Sequence, residues 1–370
     1  MVNAPPIPTG QAFDVLKAGW QAQAAGKLRA SWMLHGRPGI GKTEIVQALA
    51  QEIGARLFDL RLTTIEPQDL RGLPYFDHAR QRTIWFRPED LPDDPAQPSV
   101  LFLDELTAAS PLLQPTVYGL LQERRVGQHL LPAPCMVIAA GNMVEDGAIA
   151  YEMGTALSDR LIHLRLQAEA GDWLERFALP QALDESVIAF IRTRPELLDT
   201  TEDSLRRGEM IACTPRSWAR VAGLMCAVSD RRLRNLMIAG VLGEAVAAEF
   251  LLVADEIAAT VQVDELLEAE PRARASLYPP SLHGMTALAY GLVTRATAAN
   301  LAQVIEIMAE LRGLGTTRGA AFARMPLGEL GTHGFEMLIR KALEHGWQDA
   351  FAGSDAFAAY TAERRAAGLE

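Results

Sequence analysis

The stretch GRPGIGKT, Gly36 to Thr43, has the residue types and spacing to hold phosphate. It fits G-x-x-x-x-G-K-T, in which glycines free the backbone to wrap its N–H groups around phosphate oxygens and a lysine, here Lys42, adds a point charge. Gly36, Pro38, Gly39, Ile40, Gly41, Lys42 and Thr43 would then line the bound nucleotide. A second stretch, SVLFLDEL, delivers two acids. Four apolar residues, Val100 to Leu103, lead to Asp104 and Glu105 at the end of a strand, where open parallel sheets present ligands. Asp104 would join the Thr43 hydroxyl around Mg²⁺, and Glu105, one residue on, could polarise an attacking water. By itself this stretch is equally a buried strand followed by two solvated acids. The phosphate loop upstream favours the catalytic reading.

Such a loop needs a strand before it and a helix after it, because the helix N-terminus supplies aligned N–H groups and partial positive charge. SWMLHG suits a buried strand. TEIVQALAQEIG sets Ile45, Val46, Leu49 and Ile53 on one helical face before Gly54, a natural stop. A third apolar strand, MVIAAGN, ends on Asn142. Its amide could hold a water beside the terminal phosphate, although asparagine is also a common turn former. ALSDRLIHLRL reads as a helix end carrying Arg160 and then a strand over Leu161 to Leu166. Taken alone, Arg160 is a surface ion-pair residue worth under about 1 kcal/mol. In CTPRSWARVAGL, Thr214 is a good N-cap and Pro215 suits the first helical position. Arg216 therefore lies in the first turn of a helix whose Trp218, Val221 and Leu224 face a core.

The 370 residues, 49% hydrophobic, suffice for two or three folded domains. A net charge of −11 argues against a large nonspecific grip on DNA or RNA, which depends on neutralising phosphates. The three cysteines, Cys135, Cys213 and Cys226, form no C-x-x-C pair, so neither a disulfide framework nor a zinc site is expected and a reducing cytoplasm is the simpler location. MVNAPPIPTG has neither the basic start nor the apolar core of a secretion signal and is expected to be a flexible arm. The most membrane-like run, IAGVLGEAVAAEFLLVA, carries Glu244 and Glu249 in its interior, which suits a half-exposed helix better than lipid.

From Ser31 to Leu224 these elements, in this order, resemble AAA+ ATPases, and more closely their MoxR branch. GRPGIGKT looks like Walker A, VLFLDE like Walker B, Asn142 like sensor 1, Arg160 like the arginine finger and Arg216 like sensor 2. DLRGLPYFDHARQRTIWFRPEDL is similar to that branch's helix-2 insert, with arms PYF and TIWF around the polar DHARQR, and LQERRVGQHLLPAPCMVIAAGN is similar to its hairpin before sensor 1. The chain departs from the branch in having Met143 after the sensor asparagine, where proline is usual. It also has Leu161 after the finger arginine, where an aromatic is usual, so Arg165 stays open as the alternative finger. The resemblance implies a P-loop α/β parallel-sheet domain with helices on both faces, an α-helical lid, ATP and Mg²⁺ as ligands, and a ring, commonly hexameric, in which Arg160 acts on the neighbour's nucleotide. It further implies chaperone-like remodelling of a partner complex, often alongside a protein with a von Willebrand factor A domain.

On this reading residues 1–11 are the arm, 12–168 the nucleotide domain, 169–279 the lid and 280–370 a C-terminal helical extension. The turn-rich EPRARASLYPP is the expected connector into that extension. Beyond it, NLAQVIEIMAELRG predicts a helix capped by Asn300, buried along Leu301, Val304, Ile305, Met308 and Leu311, and stopped at Gly313. The aromatics Tyr75, Phe76, Trp85 and Phe86 either contact a client or pin the hairpin to its own domain. Arg80, Arg82 and Arg87 beside them suit phosphate contacts and keep a nucleic-acid-dependent motor or nuclease-coupled ATPase as the alternative function. A nonenzymatic scaffold is disfavoured, since both acids and the candidate finger are present.

Overall fold

The computed structural model describes residues 3–143, 158–317 and 320–366. Within them the chain forms two compact units, Met1–Trp173 with Asp199–Ser217, and Leu174–Leu198 with Trp218–Glu370.

In the first unit, strands β1 (Pro6–Pro8), β2 (Ser31–His35), β3 (Arg56–Arg61), β6 (Ser99–Asp104), β9 (Cys135–Gly141) and β10 (Leu161–Gln167) form one sheet in the order β1-β10-β2-β9-β6-β3. Every pairing is parallel. Parallel strands buried on both faces read as continuous apolar runs, as β2, β6 and β9 do, each buried along its whole length. Successive side chains alternate between two cores. Trp32, Leu34, Val100, Phe102, Ile138 and Ala140 lie in a cluster that includes Leu16 of helix α1 (Thr9–Ala24) and Val46 and Leu49 of α2 (Lys42–Glu52). Met33, Leu101, Leu103, Val137 and Ala139 lie in the other, with Leu106, Val117 and Leu120.

The expected arm over 1–11 needs correction, because Pro6–Pro8 pairs with Arg165–Gln167 and Thr9 already begins α1. Two prolines fit there because β1 is an edge strand paired on one side only, where a missing N–H can fall on the unpaired side. The hairpin expected around DHARQR is present as β4 (Pro74–Asp77) against β5 (Arg82–Trp85), antiparallel. A second, β7 (Arg125–Val126) against β8 (His129–Leu130), precedes β9. Tyr75, Phe76 and Phe86 are exposed, and Arg71 sits 4.3 Å over the half-buried Trp85 ring. The start of the helix end expected over ALSDR lies outside the described residues.

The second unit is helical, with α3 (Glu185–Thr193), most of α4 (Pro215–Ala227), α5 (Arg231–Leu242), α6 (Glu244–Thr260), α7 (Leu282–Arg295), α8 (Leu301–Thr317) and α9 (Leu327–His345). Its centre is an aromatic trio, Phe190, Trp218 and Phe250, with ring centroids 5.3 to 5.6 Å apart. The units cut the chain differently from the division at 169 and 280. Arg274 and Tyr278 both bond Glu310 at 2.8 Å, and Arg295 bonds Glu185 at 2.6 Å, so residues on either side of position 280 share one packed body. The membrane-like run is two helices broken at Gly243, which takes a φ of 82°. No helix among the described residues is long and apolar enough to cross a membrane. In α8 the expected stripe is buried. Gly313 does not stop that helix, which continues to Thr317, and the Asn300 amide turns back to Arg295 and Thr297.

One contact tests how α1 is seated. A Cβ added at Gly19 would stand 2.2 Å from the Trp32 ring. Alanine normally favours a helix over glycine by about 1 kcal/mol, so Gly19→Ala ought to stabilise α1. Because the ring must move, we expect a net loss of about 1–3 kcal/mol instead, read from the urea midpoint.

Candidate nucleotide site

The site is built by strand register. Parallel pairing sets His35 opposite Gly141, Leu103 opposite Ala139, and Asp104 opposite Arg61. The residues that follow these ends, Gly36, Glu105 and Asn142, therefore emerge side by side on the C-terminal edge of the sheet. From Gly36 the chain turns through Gly39 and Gly41, with φ of 81° and 110°, before α2 starts at Lys42. Those angles are open to glycine and costly for other residues, which accounts for the glycines on either side of Ile40.

The Lys42 ammonium donates to the carbonyls of Gly36 at 2.5 Å and Arg37 at 3.1 Å, and to Asn142 Oδ1 at 2.9 Å. A loop lysine and a strand-end asparagine 100 residues apart thus share one bond. Asn142 is held in turn by Thr107, whose hydroxyl donates to its carbonyl at 3.0 Å. Asp104 is buried and accepts the Glu105 N–H at 2.9 Å. Burial pushes its carboxyl above the ordinary carboxylate range, and Glu105 adds to this. The Glu105 N–H bond, Lys42 and Arg61 oppose it. Glu105 takes a left-handed backbone, φ 58° and ψ 34°, a conformation that costs a non-glycine residue of order 1 kcal/mol and gathers at functional sites. Its carboxylate accepts from Thr63 at 2.5 Å and lies 3.9 Å from Arg61, which is also 3.9 Å from Asp104.

Thr214 caps α4, its hydroxyl accepting the Ser217 N–H at 3.2 Å. The next turn docks on the phosphate loop, where Arg216 N–H donates to the Gly39 carbonyl at 3.1 Å. Arg37 of the loop pairs with Asp199 and Glu202 of the same segment. The Arg216 side chain is exposed beside the loop, as is Arg160 in the turn before β10, whereas Arg165 is half-buried within β10, in register with His35. Gly36 and Ile40 are buried, and Pro38 is exposed.

These residues fit a nucleotide with Mg²⁺. The loop turns into the N-terminus of an 11-residue helix, a ready anion site. A Cβ on Gly41 would meet nothing within 4 Å, so the backbone there is open to a ligand. No three His, Cys, Asp or Glu side chains among the described residues form a metal cage. Mg²⁺ is usually held by one or two protein oxygens together with phosphate oxygens, and Thr43 and Asp104 carry oxygens that could serve. Arg61, Thr63 and Thr107 were not identified from the sequence, and Thr214 was identified there as a helix cap. No local pattern marks Arg61 and Thr63, because the pairing of their strand with the acid-bearing one is set by the fold.

Residues 31–163 match the family described as ATPase family associated with various cellular activities (AAA). The match spans 133 of the chain's 370 residues and makes this segment similar to the AAA ATPases. Uncharacterized protein YeaC of Bacillus subtilis (strain 168) is 30% identical over 136 residues, 35% of this chain and 40% of that protein, so the chain matches less than half of its relative's length. Among solved structures, a candidate ATPase from Cytophaga hutchinsonii is 16% identical with a TM-score of 0.34, covering 78% of this chain and 76% of that one. The Thermotoga maritima RuvB Holliday junction branch migration motor is 15% identical with a TM-score of 0.37, covering 77% and 80%. At these values neither structure informs what the AAA segment of this chain acts on.

His35, the residue before the phosphate loop, gives the unit a pH dependence. Burial, then the neighbouring His163 and Lys42, push its imidazole down to about 4 from an ordinary 6.5. Between those values the unfolded chain binds a proton that the folded protein does not, so stability falls as pH is lowered through the window. Urea midpoints measured at pH 7 and pH 5 should separate less in His35→Gln than in the unsubstituted protein.

Proposed function

We propose that this chain is a MoxR-type AAA+ ATPase that hydrolyses ATP in a ring of subunits and uses the cycle to remodel a partner protein or complex. The observation that carries the ATPase reading is the convergence of the phosphate loop, the acid pair and Asn142 at one sheet edge, with Lys42 bonded to Asn142 at 2.9 Å. The backbone of Gly39 to Thr43 and the Lys42 ammonium bind and orient the phosphates. Thr43 and Asp104 would hold Mg²⁺, which when bound would neutralise charge on the phosphate oxygens. Glu105, held by Thr63 and Arg61, accepts a proton from the attacking water. Asn142 orients that water, and Arg216 lies beside the loop to contact phosphate. Arg160 stands on the surface, where it can serve a neighbouring subunit's nucleotide. The MoxR assignment is supported by the two hairpins, β4–β5 and β7–β8, at the positions that branch uses.

Lys42→Ala should lose nucleotide binding, and Glu105→Gln should bind ATP with turnover reduced at least 100-fold, a loss in the range of about 10²–10⁴ that general-base removal brings. Fluorescent-nucleotide titration and phosphate release distinguish the two. Undiminished turnover by Glu105→Gln protein freed of contaminating ATPase would remove the catalytic assignment. Light scattering of Glu105→Gln protein with ATP reads ring formation. The same variant used as bait, with and without nuclease, reads the partner. Capture of a von Willebrand factor A domain protein that survives nuclease supports remodelling, whereas nuclease-sensitive recovery of nucleic acid supports the motor.

A further inference from the structure

Two histidines that play no part in the proposed phosphate chemistry join the strand bearing the phosphate loop to the turn bearing Arg160. His35 is the last residue of β2 and is 5% exposed. Its Nε2 lies 2.7 Å from Nδ1 of His163 on β10, and the two rings are 15° from parallel. On its other side, His163 Nε2 lies 2.8 Å from the Ser158 carbonyl and 3.2 Å from the Ser158 hydroxyl. A carbonyl only accepts, so Nε2 of His163 carries a proton and donates it. The two nitrogens that face each other share a single proton, which belongs to His35 Nε2 when both rings are neutral. The result is a directed chain of bonds, His35 to His163 to Ser158, ending two residues before Arg160.

We propose that His163, braced by His35, is a positioning residue that fixes the Ser158–Arg160 turn and so sets where Arg160 is presented to a neighbouring subunit's nucleotide. This rests on the reading of Arg160 as the finger. The turn is exposed at Asp159 and Arg160 and lies just before β10. His163 reaches back from inside that strand to hold the turn, and its own ring is held from the buried His35. A long arginine side chain carries any displacement of its backbone to its tip, and misplacement of a charge-stabilising group by about 1 Å can cost ~10²-fold in rate. The bonds of the relay run through His35, His163 and Ser158, and the His163 end lies on a different strand from the phosphate loop and from the acid pair, so loss of the His163 ring should slow turnover without weakening ATP binding.

The test compares His163→Leu, which fills the ring's space without bonding, with His163→Gln, which keeps a donor for the Ser158 carbonyl. Both are set beside Arg160→Ala and the double variant. The expected result is a fall in kcat of about 10-fold to 100-fold for His163→Leu, with the KM for ATP unchanged within about twofold. His163→Gln should keep at least about half of the turnover, and His163→Leu/Arg160→Ala should be no slower than Arg160→Ala alone, as expected of residues acting as a unit. If Arg160→Ala is crippled while His163→Leu turns over normally, the relay proposal falls and the finger reading stands. Normal turnover in Arg160→Ala removes the finger reading, and the proposal with it. A raised KM at unchanged kcat, or a folded His163→Gln as slow as His163→Leu, also overturns the proposal. Should His163→Leu prove insoluble, His35→Leu breaks the same chain of bonds from the other strand and is judged by the same outcomes.

Discussion

The parallel register of β2, β9 and β6 is the constraint on which the candidate site depends. Parallel strands point all their C-terminal ends the same way, so each sends its following residues to one edge. With His35 opposite Gly141 and Leu103 opposite Ala139, the phosphate loop, the acids and Asn142 start from adjacent positions. A slip of one residue in any strand would exchange its two cores as well as move its chemical group, because successive side chains face opposite sides. Packing and chemistry are thereby held by the same register. Val100 and Phe102 serve one core and Leu101 and Leu103 the other, and together they place Asp104.

Charge is balanced tightly at this edge. Asp104 and Glu105 are adjacent acids, one buried, and their burden is eased by Arg61 on the neighbouring strand and by Lys42. The Lys42 ammonium has three oxygen acceptors, two of them carbonyls of its own loop. Phosphate oxygens would replace acceptors that are already oxygen, so binding exchanges neutral partners for charged ones, and charged partners make the stronger bond. The left-handed backbone of Glu105 turns the chain immediately after Asp104. The two neighbouring carboxylates share Arg61, while Asp104 accepts the Glu105 N–H and Glu105 accepts from Thr63.

The helical second unit follows other physics. Its centre is aromatic packing among Phe190, Trp218 and Phe250, and the Trp218 indole N–H is satisfied by the Leu197 carbonyl at 2.8 Å. Close helix approach occurs where side chains are small. A Cβ on Gly334 of α9 would stand 2.3 Å from Met308 of α8. The salt bridge of the buried Arg274 with Glu310 ties the turn-rich connector to α8. A stretch rich in proline and charge therefore marks a turn within one body and not a boundary between two.

Local patterns in the sequence were enough to locate the glycine-rich turn between strand and helix, the apolar strands, the paired acids at a strand end and the β4–β5 hairpin, because spacing, continuous apolar runs and turn residues report what each segment does by itself, whereas the β7–β8 hairpin was expected from the family resemblance. They were also enough to assign the capped start of α4 at Thr214 and the buried stripe of α8. Other features depended on partners distant in the chain. Pro6–Pro8 became a strand only because β10 offered an edge, and Gly313 stayed helical because packing overrode its low propensity. Division of the chain at 280 failed to anticipate the packing because Glu310 and Glu185 draw residues together across it. Arg61, Thr63 and the His35–His163–Ser158 chain carry no local signature at all. They acquire meaning only where neighbouring strands bring them within hydrogen-bond or ion-pair distance, which is a property of tertiary structure.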